Sequence, residues 1–283
     1  MTEHLGSVVP PVALTIAGTD SGGGAGIAAD LRTFAAHGVF GTLAVTAVTA
    51  QDTMAVHGVV VLDAAFVDAQ IEAAIGDFPV LAAKTGMLAT LEIVEAVTAR
   101  AIAGSLPPLV VDPVMISTSG ASLLVGDAPA SYRQLLPHAL ITTPNMDEAA
   151  ALTGRVVTNR AEMADAARAL CDLGVRYALV TGGHLAGEVA CDVLFDGTDL
   201  VELSGEMVPS PNVHGTGCTL SAAITANLAL GHPPVEASAK AKRYVSEVIA
   251  GSALWRLGGG SGPLDHFSAR RAAHSGRTAL LGE

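Results

Sequence analysis

Val12-Ala13-Leu14-Thr15-Ile16-Ala17 runs directly into Gly18-Thr19-Asp20-Ser21-Gly22-Gly23-Gly24-Ala25-Gly26, and a helical pattern follows to His37. An apolar run, a glycine-rich turn and a helix make the opening unit of a parallel sheet, whose strands, buried on both faces, read as continuous hydrophobic segments. The alternation continues outward. Thr42–Ala50 is followed by a helix near Ala64–Ile75, and strand-like runs at Ala82–Lys84, Leu109–Val111, Leu140–Thr142 and Ala178–Thr181 are separated by helical segments. The spacing predicts an α/β fold with a central, mostly parallel sheet and helices on both faces. Asp196-Gly197 between Val193–Phe195 and Leu200–Leu203 is a hairpin signal, so part of the sheet is expected to turn antiparallel. No repeat, low-complexity tract or linker divides the chain before Gly258-Gly259-Gly260. Residues 12–267 are therefore expected to form one domain, with residues 1–11 and 268–283 as tails.

Composition narrows the function classes. The chain has 283 residues, 50% hydrophobic and 4% aromatic, so its core is built from Ala, Val, Leu and Ile. The formal net charge is -12, and Lys84, Lys240 and Lys242 are the only lysines, which argues against a nucleic-acid partner that needs clustered cations. Any phosphate must be held mainly by backbone, metal or a few cations. Cys171, Cys191 and Cys218 are odd in number and widely spaced, with no CxxC, which indicates neither a disulfide framework nor a zinc site and points to a reducing cytoplasm. Met1-Thr2-Glu3-His4-Leu5 lacks the features of a signal peptide, and the uncharged stretches 33–51 and 210–235 are broken by Gly, Thr, Asn or His, so no membrane span is expected.

In such sheets ligands bind beyond the carboxyl ends of the strands. The residues that follow each strand are polar or glycine. The first strand leads into the glycine loop, with Asp30 in the first turns of the next helix; Gln51 follows Thr42–Ala50, and Asp112-Pro113 follows Leu109–Val111. Thr143-Pro144-Asn145-Met146-Asp147-Glu148 opens a helix. Asn145 and Glu148 can form a capping box there, and with Asp112 they equally offer the hard oxygen ligands of a magnesium-bound nucleotide. Thr181-Gly182-Gly183-His184 reads as an ordinary turn or as a nucleotide contact, with Asp192 beyond it. Val213-His214-Gly215-Thr216-Gly217-Cys218-Thr219-Leu220-Ser221 places a glycine turn and a thiol at a helix start. The N–H groups there form an anion site, and the same positive field is expected to lower the pKa of Cys218. Gly24-x-Gly26-x-x-Ala29 satisfies a loose dinucleotide fingerprint, yet Gly18 to Gly23 intervene after the strand, which fits an oxidoreductase poorly. The absence of any Gly-Lys pair excludes a Walker A loop.

Taken together, Ala17 to Gly26, Lys84-Thr85-Gly86-Met87-Leu88, Asp112-Pro113-Val114-Met115, Pro144-Asn145-x-x-Glu148, Thr181 to His184 and His214 to Ser221 resemble the hydroxymethylpyrimidine/phosphomethylpyrimidine kinases of thiamine biosynthesis. These kinases belong to the ribokinase-like superfamily, and the resemblance runs from about Val12 to Phe267. It implies transfer of a phosphoryl group from ATP to the hydroxymethyl group of 4-amino-5-hydroxymethyl-2-methylpyrimidine, then a second phosphorylation to the diphosphate. It also implies roles. Cys218 would be the base, the backbone of Gly215, Thr216 and Gly217 would stabilise the transferring group, and Lys242 would reach the phosphates. Gln51, Asp30, Gly18, Ala25, Met87 and Val114 would hold the pyrimidine; Gly182, His184 and Asp192 the nucleotide; Asn145, Glu148 and Asp112 magnesium. Without the resemblance, Lys242 reads as a solvated helix lysine. Ile116-Ser117-Thr118-Ser119-Gly120 would form a small flap, and it lacks the cysteine that some relatives acting on pyridoxal carry there. Gly258-Gly259-Gly260 stands where many relatives have Gly-Lys-Gly, which implies a different ATP affinity or a more mobile lid. A homodimer is implied by family habit. Pyridoxal or pyridoxamine kinase activity and a non-catalytic ligand-binding role are the alternatives.

Overall fold

The computed structural model describes residues 9–115, 127–183 and 189–268. Ten strands and eight α-helices are seen among them: β1 Val12–Ala17, α1 Gly26–Ala36, β2 Phe40–Val45, β3 Ala47–Gln51, β4 Val56–Val61, α2 Ala64–Asp77, β5 Val80–Thr85, α3 Leu91–Ile102, β6 Leu109–Val111, α4 Ala128–Leu135, β7 Ile141–Thr142, α5 Met146–Thr153, α6 Arg160–Asp172, β8 Tyr177–Thr181, β9 Val189–Phe195, β10 Leu200–Glu206, α7 Thr216–Ala229 and α8 Pro234–Ser252. The main sheet has the order β10-β9-β8-β7-β6-β5-β1-β2. Its pairs are parallel from β2 to β8, β8 pairs antiparallel with β9, and β9 and β10 form an antiparallel hairpin through the turn at Asp196-Gly197.

Period-two alternation sends neighbouring side chains to opposite faces. Leu14, Ile16, Ala83 and Val111 join a core beneath α2 to α6, whereas Ala13, Ala82 and Val110 face α1, α7 and α8. The residues of α7 from Thr219 to Asn227 are all buried, as expected of a helix covered on several sides. Ala222 and Ala226 meet Ala13 and Ala82, so small residues on both partners bring α7 close to the sheet. Because β1 lies between β5 and β2, the chain reverses its winding there, and the crevice beyond β1 and β5 is the ligand position such a switch provides.

One element departs from expectation. Thr42–Ala50 is not one strand: β2 ends at Val45, and β3 leaves the main sheet to pair with β4 as a separate two-stranded ribbon. Thr46 marks the break; its N–H donates to Ala17 O at 3.0 Å and its carbonyl accepts from Leu62 at 2.9 Å. Beyond it the Thr19 N–H donates to Ala47 O at 2.9 Å, and the Thr49 hydroxyl donates to Thr19 O at 2.8 Å. The ribbon is thus tied to the glycine loop, a tertiary contact that a run of β-branched residues without Gly or Pro does not announce. Among the described residues no helix is long and apolar enough to cross a membrane.

Candidate active site

The glycine loop after β1 is organised by Asp20, whose carboxylate accepts from the N–H groups of Gly22 at 2.9 Å, Gly24 at 3.0 Å and Ala25 at 2.9 Å. His214 Nε2 stands 2.8 Å from the same carboxylate. Burial pushes Asp20 up, but His214 and the loop N–H groups outweigh it and hold the carboxyl below its ordinary value. This pair latches the loop to the turn before α7. The fit is close: Gly215, at φ +82°, brings its Cα so near that an added Cβ would lie 2.0 Å from Gly24 O. Gly26 is equally constrained, since a Cβ there would lie 2.4 Å from Gly18 O, whereas one on Gly18 would lie 2.3 Å from Cε of Met87, the movable end of a flexible side chain. Gly18, Ala25 and Met87 thus lie in one contiguous patch with Gly215-Thr216-Gly217, the turn expected from sequence to hold an anion. Gln51 ends β3 above that loop, half-buried, with its N–H 3.4 Å from the Ser21 hydroxyl.

Beneath α7 lies a line of buried charge. Lys84 on β5 and Asp30 on α1 are both fully enclosed, with Nζ 2.7 Å from Oδ1, and the Thr15 hydroxyl donates to the other Asp30 oxygen at 2.6 Å. Asp30 is thus kept from direct solvent access, and its place is below the pyrimidine wall expected from sequence. Ser221 donates to Asp112 at 2.9 Å and also lies within bonding distance of the carbonyls of Gly217 and Cys218. Asn145 caps α5 and forms a complete capping box with Glu148, so the cap is realised in the same residues that could serve a cation. Burial, then the neighbouring Asp112, lift Glu148 to about 8, and burial lifts Asp112 as well. The Thr33, Thr85 and Thr143 hydroxyls are buried without a hydrogen-bond partner; Thr85 ends β5 and Thr143 follows β7 at the carboxyl edge, whereas Thr33 lies on α1. Val114 follows Asp112 and its carbonyl accepts from the buried Tyr132 hydroxyl at 3.4 Å.

The thiol corrects an expectation. Cys218 keeps part of its surface open, yet its sulfur sits in dense surroundings that push its pKa up to about 12. Lys84 and the Gly26 N–H act against that rise, while Asp30 and Asp112 add to it. The helix start alone does not produce a thiolate, because desolvation outweighs the dipole.

Lys242 and Asp192 form a second group. Lys242 Nζ lies 2.8 Å from Asp192 Oδ2, and the Gly182 N–H donates to Asp192 Oδ1 at 3.0 Å. Lys242 is therefore not a solvated helix lysine; it is a mostly buried partner of Asp192, which lies opposite Thr181 at the end of β8. Asn145 bridges to Thr181, which joins this group to the carboxylates. His184 and the flap Ile116–Gly120 lie outside the described residues. Gly258-Gly259-Gly260 folds onto the ribbon turn: the N–H groups of Gly259 and Gly260 both donate to the Thr53 hydroxyl at 3.0 Å. A Cβ on Gly260 would lie 2.0 Å from Thr53 O, whereas at Gly259 the nearest atom is the flexible Met54 sulfur at 3.2 Å, so the middle position alone has a yielding neighbour. A shallow depression between α2 and α3, lined by Asp68, Glu72 and Arg100, contains none of these groups. Sequence reading left Asp20, His214 and Lys84 without roles; the first two bear a signal only in hindsight, as a lone acid and a lone histidine flanking glycine motifs.

A phosphomethylpyrimidine kinase family model matches residues 20–265. The chain belongs to this family. It is 48% identical to a hydroxymethylpyrimidine/phosphomethylpyrimidine kinase of Rhizobium meliloti over 90% of this chain and 97% of that one. It is 43% identical, over 90% of its length, to a thiamine biosynthesis bifunctional protein of Geobacter sulfurreducens, of which it spans 52%. Among solved structures, a Bacillus subtilis pyridoxal kinase in complex with ADP is similar with a TM-score of 0.85 at 38% identity, covering 94% of this chain and 100% of that one. The ribokinase-like fold expected from the motifs is the fold of this kinase.

Proposed function

We propose that the protein phosphorylates 4-amino-5-hydroxymethyl-2-methylpyrimidine with ATP and then phosphorylates the monophosphate, in thiamine biosynthesis. The observation that carries the reading is the joining of the Gly18–Gly26 loop to the Gly215–Cys218 turn, through Asp20–His214 and the contact of Gly215 with Gly24. Gly18, Ala25, Met87, Val114 and Gln51 form the pyrimidine side, with Asp30 supporting it from below. The substrate oxygen forms its bond to the γ-phosphorus as the bond to the β,γ-bridging oxygen breaks and ADP departs. Cys218 takes the hydroxyl proton in this reading, a role that needs its thiolate although burial raises the thiol to about 12, and the N–H groups of the turn stabilise charge on the transferring group. Gly182 and Asp192, with Lys242 fixing Asp192, line the nucleotide side, where His184 belongs by sequence.

Asp112, Glu148 and Asn145 fit magnesium by their chemistry: two crowded carboxylates with raised pKa values and an amide supply hard oxygens. Among the described residues no group of three His, Cys, Asp or Glu could hold a metal by itself, so water and phosphate oxygens would complete the coordination. Bound there, magnesium would neutralise phosphate charge. We assign residues 12–267 to one kinase domain, in a cytoplasmic enzyme. Val48 and Val60, paired across the ribbon and 48% and 66% exposed, suit a homodimer contact, which sedimentation velocity would test against a monomer.

Mass spectrometry of products, with ATP, magnesium and either the pyrimidine or pyridoxal, tests the reaction. Pyrimidine mono- and diphosphate, absent with Cys218→Ala, are expected. Pyridoxal phosphate alone would move the enzyme to the activity named for the Bacillus subtilis neighbour, and no product from either would support a ligand-binding role.

A further inference from the structure

Ser221 is fully buried on α7, followed by the equally buried Ala222, Ala223 and Ile224. A hydroxyl in such a place needs a hydrogen-bond partner, and a helical serine ordinarily finds one in a carbonyl one turn back. Gly217 O and Cys218 O are both in reach, each 3.1 Å from Ser221 Oγ. The shortest contact nevertheless lies outside the helix, 2.9 Å to Asp112 Oδ2. Burial alone therefore does not explain where the serine points. Strand geometry brings the acid to it. Val110 on β6 packs with Leu220 and Ile224 of α7, Val111 joins the core on the opposite face, and period-two alternation returns Asp112 to the α7 side. The hydroxyl has one proton for three acceptors, and an ionised carboxylate is the strongest of them.

We propose that Ser221 is a positioning residue for the cation of the nucleotide: its hydroxyl fixes one oxygen of Asp112 and leaves the other for magnesium and its waters, in register with the Gly215–Cys218 turn on the same helix. The inference rests on the kinase reading of Asp112, Asn145 and Glu148. Ser221 lies four residues beyond Gly217, one helical turn from the start of α7. One helix thus carries both the N–H groups expected at the transferring phosphoryl group and the hydroxyl that orients the carboxylate. The spacing of the two is then set within a rigid element rather than by a loop. The neutrality of the donor matters, because an ammonium bonded to Asp112 would compete with a cation. Lys84, beside Val110 on the neighbouring strand, is committed instead to Asp30 at 2.7 Å. Among the described residues the Ser221 hydroxyl is the hydrogen-bond donor to the Asp112 side chain.

Manganese(II), a paramagnetic cation that takes the same oxygen ligands, is titrated into the whole protein with ADP and without the pyrimidine. Electron paramagnetic resonance separates the protein-bound ion from manganese–ADP alone. Removing the partner that orients a metal-binding side chain costs about 10–100-fold in affinity. Ser221→Ala should therefore weaken manganese binding by about tenfold or more. In turnover it should raise the magnesium concentration needed for half-maximal rate and leave the KM for the pyrimidine unchanged. Asp112→Ala should weaken manganese binding at least as much, and Ser221→Ala added to it should change nothing further, since the serine acts through the carboxylate. Losses that multiply in the double variant overturn the proposal. So does a Ser221→Ala protein that binds manganese within about twofold of wild type, even with a lowered thermal midpoint, because a serine that only packs would behave in that way. If Ser221→Ala does not fold, Ser221→Cys keeps a small side chain with a weaker donor; weakened binding is expected from it, and wild-type affinity overturns the proposal. Wild-type protein that binds no manganese with ADP and forms no product refutes the kinase reading and the proposal with it, whereas wild-type binding beside an unaltered variant overturns the proposal alone.

Discussion

Gly215→Ala tests the geometry of the transfer site most directly. Gly215 has φ +82° and ψ 13°, and an alanine Cβ there would stand 2.0 Å from Gly24 O, 2.9 Å from Gly24 C and 3.1 Å from Ala25 Cα. Left-handed backbone costs a non-glycine residue roughly 1–2 kcal/mol. The clash is the larger matter, because a carbon needs roughly 3.3 Å from a carbonyl oxygen, and closing that gap means moving the turn away from the glycine loop by about 1.3 Å. Both partners are backbone, so no rotamer change relieves the contact. A displacement of about 1 Å between reacting groups lowers rate on the order of 10²-fold. The expected outcome in a coupled ADP-release assay is a fall in kcat of about that size, with a folded protein by circular dichroism and a thermal midpoint lowered by several degrees. Gly217→Ala is the control within the same turn: its Cβ would meet nothing within 4 Å, so the fold should be unaffected. A Gly215→Ala enzyme with kcat within a few-fold of wild type would refute the reasoning, for it would mean that the loop and the turn are not held together during the reaction.

Three further outcomes follow from the site. Glu148 has its pKa raised from 4.5 to about 8, so the folded protein holds a proton that the unfolded chain releases; the stabilisation is complete below 4.5 and lost as pH rises through 8. Thermal midpoints across that window should fall with pH, Glu148→Gln should flatten the slope, and a slope unchanged in that variant would contradict the assignment. Lys242→Met leaves Asp192 buried without its cation and should cost about 3 kcal/mol in urea unfolding, with much of it recovered when Asp192→Asn is added. His214→Ala removes the latch on Asp20 and should release the Gly22, Gly24 and Ala25 amides to faster hydrogen exchange, with a loss of about 1–3 kcal/mol. Unchanged exchange would show that Asp20 holds the loop alone.

Much of the fold was legible because its signals are local. Leu109–Val111 coincides with β6, Gly26–His37 with α1 to within a residue, and Asp196-Gly197 with the antiparallel turn, since apolar continuity, helical periodicity and hairpin chemistry act over a few residues. The break at Thr46 was not legible, because it is made by hydrogen bonds to Ala17 and Leu62 rather than by a turn residue. Within the site, the capping box at Asn145 and Glu148 was readable from spacing, whereas the Lys242–Asp192 pair joins residues on α8 and β9 whose proximity only the packing creates.

The sequence by itself determined the class of fold, the glycine motifs and the membership of a kinase family, because these depend on residue type and order along the chain. Only the tertiary structure decided the electrical state of the site. The helix start at Gly215 predicts a lowered thiol pKa, but burial raises Cys218 to about 12, with Lys84 and Asp30 acting on it from opposite sides. A pKa depends on how many polar and charged groups surround an atom and at what distance, and residues 30, 84, 112 and 218 acquire those distances only when α1, β5, the turn after β6 and α7 converge.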